Sequence, residues 1–282
     1  MSDLPGGLYL VGTPIGNLED ITQRALSVLA EVDLIAAEDT RVTRRLLSRY
    51  HISARLLSYH EHSPPRRLAQ LLDLLRAGQR VALVSDAGMP GLSDPGAQLV
   101  RAAAEAGLPV YVVPGPSAAA AAVALSGFTA RQHLFLGFPP PRQAARRRAL
   151  RAAAAHPGLI IMFEAPHRIR DTLADLLEVL GDREALCARE LTKRFEEVLR
   201  GRLSELVAHF AEREPRGEFT LVIAPAPAIE AEPDLAEAVA EVEELAAAGL
   251  PPSRAVAHVA RRRGLPRRDL YRAARVEGTH EG

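Results

Sequence analysis

Four short apolar runs, Leu8–Val11, Leu34–Ala37, Val81–Val84 and Val110–Val113, each give way to a loop and then to an amphipathic stretch. This rhythm is the strongest constraint on the fold. Runs that are short and apolar throughout suit strands buried on both faces, and the helical stretches between them supply the crossovers that parallel strands need. A parallel sheet covered by helices follows. One helix shows its limits from about Pro64 to Ala77: Ser63 is its expected cap, Pro64 and Pro65 suit its first turn, and Gly78 ends it before the sheet resumes at Arg80.

The run Phe138-Pro-Pro-Pro-Arg142 interrupts the pattern, because successive prolines continue neither a helix nor a central strand. A domain boundary is expected there. A second α/β unit follows, with strands near Leu159–Glu164, Ala185–Glu190, Val198–Gly201 and Phe219–Ala224, and helices near Arg168–Leu180 and Leu203–Arg213. The segment from Pro225 to Pro233 reads as a stiff linker, and everything from there to Val276 reads as helical. The expected layout is an α/β domain over residues 1–137, a second over 138–226 and a small helical domain over 234–282. In the last, a small Ala260, then Gly264 in a left-handed turn, then Leu265 and Leu270 match helix-turn-helix spacing, with the second helix starting near Pro266. A helical cap that merely covers its neighbour is the alternative.

Composition narrows the class. With 48% hydrophobic and 25% charged residues the chain is a folded globular protein. No apolar run approaches the roughly 20 residues of a membrane span, and Met1–Gly7 lacks the pattern of a signal peptide, so a cytoplasmic location without membrane contact is expected. The single cysteine, Cys187, excludes an internal disulfide and a thiolate cage, and its apolar neighbours point to a buried strand position. Net charge is zero, but it is unevenly spread. Arg146, Arg147 and Arg148 cluster mid-chain, and Arg261, Arg262, Arg263, Arg267, Arg268, Arg272 and Arg275 crowd the end, behind an acidic stretch from Glu230 to Glu244. Such local basic patches suit phosphates although the whole is neutral.

Three Gly/Pro-rich loops follow strand ends in the first domain, where open parallel sheets bind ligands. They are Gly12-Thr-Pro-Ile-Gly-Asn17, Ser85-Asp-Ala-Gly-Met-Pro-Gly-Leu-Ser-Asp-Pro-Gly96 and Pro114-Gly-Pro-Ser-Ala118. Each alone is compatible with a simple turn; three together favour a site. Asp94 and Ser117 are expected N-caps. No phosphate-binding Gly-x-x-x-x-Gly-Lys-Ser/Thr loop and no Gly-x-Gly-x-x-Gly fingerprint occurs, which argues against a nucleotide triphosphatase or a Rossmann dehydrogenase. The runs Tyr59-His-Glu-His62 and Ala165-Pro-His-Arg168 lack a second cluster or a Cys partner, so no metal is expected.

Taken in order, the loops join further motifs: Glu38-Asp-Thr-Arg41, Tyr59-His-Glu-His62, Glu164-Ala-Pro-His-Arg168, Arg189-Glu-Leu-Thr-Lys193 and Gly217-Glu-Phe219. This set resembles the ribosomal-RNA-modifying branch of the tetrapyrrole methylase superfamily, over about residues 7 to 224, and the tail resembles the helix-turn-helix-like extension of that branch. Thr13 and Asn17 depart from the Gly-x-Gly-Pro-Gly-Asp-type opening of the tetrapyrrole enzymes proper, which favours the RNA branch. The resemblance implies S-adenosylmethionine folded in a cleft between two α/β domains, a homodimer, and 2'-O-methylation of a cytidine ribose in the decoding region of small-subunit ribosomal RNA, within the assembled subunit. By the same resemblance the cofactor touches Pro14, Asp86, Ala87, Gly88, Leu92, Ser117 and Ala118 from the first domain, and Phe163, Leu191 and Thr220 from the second. Arg41, His60, Arg168, Arg189, Arg262, Arg267 and Arg268 are the candidate RNA contacts. For Arg168 and Arg189, as for the candidate catalytic Glu164 and Glu190, a structural salt bridge is the competing reading.

Among 35 basic residues Lys193 is the one lysine. Ammonium is compact and loses its proton readily on burial, whereas guanidinium stays charged, so Lys193 is a candidate either for a base or for a stabiliser of a developing alkoxide. A lysine surviving a compositional bias is the plain alternative. Two rival functions remain: a small-molecule methylase of the same fold, against which the basic tail argues, and a non-enzymatic helix-turn-helix binding protein, against which the motif set argues.

Overall fold

The computed structural model describes residues 4–226 and 235–274, which divide into two units, one ending at Ala226 and one beginning at Pro227. In the first unit, β1 (Gly7–Val11), β2 (Leu34–Ala37), β3 (Leu56–Ser58), β4 (Arg80–Val84) and β5 (Val110–Val113) form a sheet of order β3-β2-β4-β1-β5. Every pairing in it is parallel. The crossovers are α1 (Gln23–Glu31), α2 (Thr40–Arg49), α3 (Pro65–Arg76) and α4 (Ala97–Glu105). All of β2 and all of β4 beyond Arg80 are buried, which explains their unbroken apolar sequence. Leu29 of α1 packs on one face beside Val11 and Ile35, and Leu99 of α4 packs on the other beside Leu8 and Leu83. The helices that follow the adjacent strands β1 and β4 thus leave on opposite faces. A crevice at the carboxyl ends of these two strands is the geometric consequence.

After α5 (Ala118–Ser126) the chain builds a second sheet from β6 (His133–Phe135), β7 (Leu159–Glu164), β8 (Glu184–Arg189), β9 (Glu197–Arg202) and β10 (Phe219–Ile223), in the order β6-β7-β10-β8-β9. Only β6 and β7 run parallel; the other pairs are antiparallel. Ala122 of α5 packs on one face with Leu159, Leu186 and Val222. The other face is covered by α6 (Gln143–Ala154), α7 (Ile169–Leu180) and α8 (Leu203–Glu212), through Leu150, Leu173 and Phe210. Cys187 is buried on β8, and burial pushes its thiol far above the ordinary range.

Several expectations are corrected. The proline run does not divide the sheets, since β6 already belongs to the second; the short β6 carries too little pattern to be read as a strand. Ser63 does not cap α3: its Oγ accepts instead from the His60 backbone at 2.9 Å, and Pro64 holds the cap position. Asp94 does not cap α4, whose cap is Gly96, whereas Ser117 does cap α5. Of the mid-chain arginines, Arg146 and Arg147 are tied up by carboxylates and Arg148 is exposed. Arg146 is 2% exposed and its Nε lies 2.7 Å from Asp175, while Arg147 pairs with Asp175 at 2.6 Å and with Glu178. Gln143 on the same turn of α6 also donates to Asp175.

The second unit contains α9 (Leu235–Ala247), α10 (Pro252–Arg263) and α11 (Arg267–Ala273) around Ala238, Val242, Val256, Val259, Ala260 and Leu270. Gly264 takes φ 69° and ends α10, and α11 follows Pro266, the expected helix-turn-helix spacing. The linker expected from Pro225 to Pro233 lies outside the described residues from position 227 on, as does Arg275. Among the described residues no helix is long and apolar enough to cross a membrane.

Candidate functional site

The three glycine-rich loops meet at the crevice. Gly12 and Gly115 approach so closely that a Cβ on Gly12 would lie 2.7 Å from the Gly115 Cα, which leaves room for no side chain at either. Thr13 and Gly88 form an isolated antiparallel bridge, with N–H to O distances of 2.9 and 3.1 Å, and the Thr13 hydroxyl donates to the Ser85 carbonyl at 3.2 Å. The loops after β1, β4 and β5 are therefore one bonded surface.

The second sheet reaches this surface through the connection between β8 and β9. Glu190 and Thr192 there have φ of 51° and 65°, unusual for any side chain and most so for a β-branched one. The strain is held by specific bonds. Thr192 Oγ1 accepts from the Asn17 backbone at 2.9 Å, and the Thr192 N–H donates to Glu196 at 2.6 Å. A Cβ on Gly16 would meet Lys193 Cγ at 2.5 Å and the Leu191 carbonyl at 2.7 Å, so the first-domain loop and the second-domain loop interlock backbone to backbone.

Beside this contact lies a cavity of about 140 Å³, lined by residues from both halves of the unit. Of the residues implied for a cofactor, Ala87, Gly88, Leu92, Ser117, Ala118, Phe163 and Thr220 line it. Pro14 and Asp86 line the adjoining groove together with Lys193. Leu191 is instead 7% exposed and packs into the core with Ile15 and Ala118. Several further lining residues are not among those the resemblance implies for the cofactor: Ile15, Met89, Phe138 and Glu218, and also Asp94, expected only as a helix cap. Glu218 stands within a motif that signalled it; Phe138 was read only as part of a proline break. Phe163 packs against both Phe135 and Phe138, at ring separations of 5.0 and 5.5 Å, making an aromatic wall.

Charge is divided across the site. Glu38, Asp86 and Asp94 gather at the first sheet's strand ends, and among the described residues none has an ion-pair partner. Burial, reinforced by Glu38, Asp86 and Glu218, pushes the Asp94 carboxyl up to about 6, although a hydrogen bond from Ser85 opposes it. Burial likewise raises Glu38 and Asp86, although Asp86 Oδ1 accepts from the Asp39 backbone at 2.9 Å. Opposite, Lys193 Nζ lies 2.8 Å from Glu190 Oε1 and 3.1 Å from Glu218 Oε2. Burial alone would lower this ammonium, but the two carboxylate hydrogen bonds outweigh it and leave Lys193 above its ordinary value. Of the two roles open to Lys193, base or stabiliser of a developing alkoxide, the paired carboxylates favour the held cation. Glu190 also accepts from the Glu218 backbone at 3.0 Å, and these bonds keep its carboxyl below the usual range against the opposing effect of burial.

Two other candidates have structural partners. Glu164 is fully buried, and its oxygens accept from Thr172 Oγ1 at 2.6 Å and from the Ala165 N–H at 2.9 Å. The residue nevertheless lines the cavity, with its carboxylate oriented by these bonds. Arg168 lies 3.2 Å from Glu164 and donates to the Pro139 carbonyl, so it fastens the proline run to β7 instead of meeting a phosphate. Arg189 pairs with Glu197 at 3.2 Å. Arg41 is 85% exposed, clasped to Asp39 at 2.6 Å, and His60 lines a groove that shares Asp94 with the cavity. In the second unit Arg262 pairs with Glu241, Arg267 donates to the Ser253 carbonyl, and Arg268 is exposed. Among the described residues no group of three or more His, Cys, Asp or Glu side chains is arranged to hold a metal ion.

Residues 7–207 match the family Tetrapyrrole (Corrin/Porphyrin) Methylases, and residues 232–275 match the RsmI C-terminal HTH domain. The ribosomal RNA small subunit methyltransferase I of Micromonospora olivasterospora is 50% identical over 279 residues, covering 98% of this chain and 89% of that protein. The protein of the same name from Thermotoga maritima is 51% identical over 218 residues, covering 77% of this chain and 98% of its own. Among solved structures, a cobalt precorrin-4 methyltransferase of cobalamin biosynthesis superposes with a TM-score of 0.59 at 18% identity, over 77% of this chain and 94% of that one, a likeness of fold. The chain is therefore a methyltransferase of the tetrapyrrole methylase family and belongs, within it, to the ribosomal RNA small subunit methyltransferase I group.

Proposed function

We propose that the chain transfers a methyl group from S-adenosylmethionine to the 2'-hydroxyl of a cytidine ribose in the decoding region of small-subunit ribosomal RNA. The observation that carries this reading is the meeting of the Gly12–Asn17 and Arg189–Lys193 loops beside a two-domain cavity, with the lone lysine held as an ammonium at its edge. The donor set fits the cofactor. Phe138, Phe163, Leu92 and Ile15 offer apolar surface to an adenine, the capped start of α5 offers backbone N–H groups to a carboxylate, and unpaired Asp86 and Asp94 suit an ammonium and a sulfonium. Bound there, S-adenosylmethionine supplies an electrophilic methyl on a positively charged sulfur.

The protein's share is alignment and charge. An in-line displacement breaks the carbon–sulfur bond as the carbon–oxygen bond forms, so holding the hydroxyl in line within a largely apolar cavity removes much of the barrier. The Lys193 ammonium stabilises the negative charge developing on the oxygen, and the hydroxyl proton leaves to water at the open side. Glu190 is a positioning residue that aims Lys193, and Glu164 anchors β7 to α7. The helix-turn-helix unit supplies further phosphate contacts through Arg267 and Arg268; the enzyme works in the cytoplasm, as a homodimer, on the assembled subunit. The relatives' names support ribosomal RNA as the substrate. Labelled methyl transfer to purified small subunits, mapped to a single ribose, tests the reading; label on a base or on no RNA would reject it.

A further inference from the structure

Phe195 is 67% exposed, the most exposed large apolar side chain among the described residues. It stands two positions after Lys193, in the strained connection between β8 and β9. That connection is well held: Lys193 N–H donates to the Glu190 carbonyl at 2.9 Å, Glu196 N–H donates to the Lys193 carbonyl at 3.1 Å, and Arg189 donates to the Phe195 carbonyl at 3.4 Å. The Arg194 guanidinium lies over the ring, 5.5 Å from its centroid, with no carboxylate partner among the described residues. Beneath the ring runs a groove lined by Arg189, Glu190, Phe195, Arg216 and Gly217. Its one carboxylate, Glu190, is already engaged by Lys193, and Arg189 is paired with Glu197. Arg216 is tied only to Glu214 in a pair exposed on both sides, which a competing phosphate displaces at little cost.

A fixed, solvent-facing aromatic ring flanked by guanidinium groups is the chemistry that receives an unpaired nucleobase: the π-face stacks, and the cations meet the adjoining phosphates. Folded-state packing gives no reason for a phenylalanine here. We propose that Phe195 is a stacking platform for an unpaired base of the RNA substrate, seated in this groove immediately beside the reacting ribose. The inference rests on the RNA-methyltransferase reading, since it supplies that substrate.

The chain contains no tryptophan, so Phe195→Trp in the full-length protein creates a single reporter at the platform. A single-stranded oligoribonucleotide of mixed sequence should quench its fluorescence, and a blunt RNA duplex of the same composition should not. In methylation of small ribosomal subunits, Phe195→Ala should raise KM about tenfold, equivalent to about 1.4 kcal/mol, and affect kcat far less, while Phe195→Trp restores KM. No quenching, equal quenching by duplex, or quenching that grows with protein concentration without RNA would overturn the proposal, the last by assigning the ring to a contact between copies. Wild-type protein that labels no RNA would reject the parent reading on its own, while the fluorescence result still decides the stacking.

Discussion

The two sheets of the first unit treat charge in opposite ways. Over the second sheet, Arg146, Arg147 and Gln143 converge on a fully buried Asp175 and satisfy it within the fold. At the strand ends of the first sheet, Glu38, Asp86 and Asp94 lie close together without an ion-pair partner among the described residues, with Arg41 and His60 acting only at longer range, and burial raises all three. The contrast separates charges that hold the fold from charges kept in reserve for a ligand. A buried carboxylate with three donors is satisfied, whereas clustered carboxylates without a counter-ion are stabilised by whatever cation arrives. Lys193 belongs to neither set, because its cation is fixed by the second sheet yet faces the first sheet's groove.

The comparison breaks most readily at Asp175. Asp175→Ala strands two arginines, one of them buried, and should cost about 3–5 kcal/mol, read as a lowered denaturant midpoint, with cofactor affinity unchanged in the protein that remains folded. A loss below about 1 kcal/mol would show that the network contributes little. Lys193 comes next. Removing a preorganised charge at an active site costs about 10²–10³ in turnover. Lys193→Ala should therefore lower single-turnover methylation by about that factor, and Lys193→Arg by at least about tenfold, because a guanidinium spreads its charge over a larger plane and pairs with the carboxylates in place of presenting a compact ammonium to the hydroxyl. Wild-type rates in the Arg variant would reduce the lysine to an accident of composition.

Smaller effects sharpen the other side of the contrast. The folded pKa of Asp94, about 6, lies above its unfolded value of about 3.9, so the native state binds the extra proton. Its contribution to stability is full below pH of about 4 and is lost as pH rises through about 6. Asp94→Asn should abolish this dependence and stabilise the neutral-pH protein by roughly 1–2 kcal/mol after solvent screening, while S-adenosylmethionine affinity falls. A pH–stability curve identical to wild type would contradict the burial of that carboxyl. Smallest of all, Arg268→Ala should lower the log–log salt slope of RNA binding by about 0.7–0.9, with cofactor affinity intact; an unchanged slope would make the helical unit a cap.

The first sheet was legible because buried parallel strands leave continuous apolar runs, as Leu34–Ala37 shows. β3 and β6 were not, since Leu56–Ser58 and His133–Phe135 are only three residues each and half exposed. The glycine loops announced a site because close backbone approach demands Gly12 and Gly115 themselves. The roles of individual charges were hidden for a physical reason: they depend on partners distant in sequence. Arg146 reads as part of a basic run until Asp175, 29 residues on, is seen to close over it. Lys193 reads equally as base or cation until Glu218, 25 residues on, adds the second carboxylate.

The held ammonium is the central claim, and composition makes it directly measurable. With one lysine in the chain, protein labelled with ¹³Cε-lysine gives a single side-chain methylene resonance, free of overlap. Followed by NMR across about pH 6 to 9, that resonance should stay at its ammonium position, since the ordinary lysine value of about 10.4 is raised further here. A titration midpoint near about 7 to 8 would mean a lysine that gives up its proton at working pH, and would return Lys193 to the role of base.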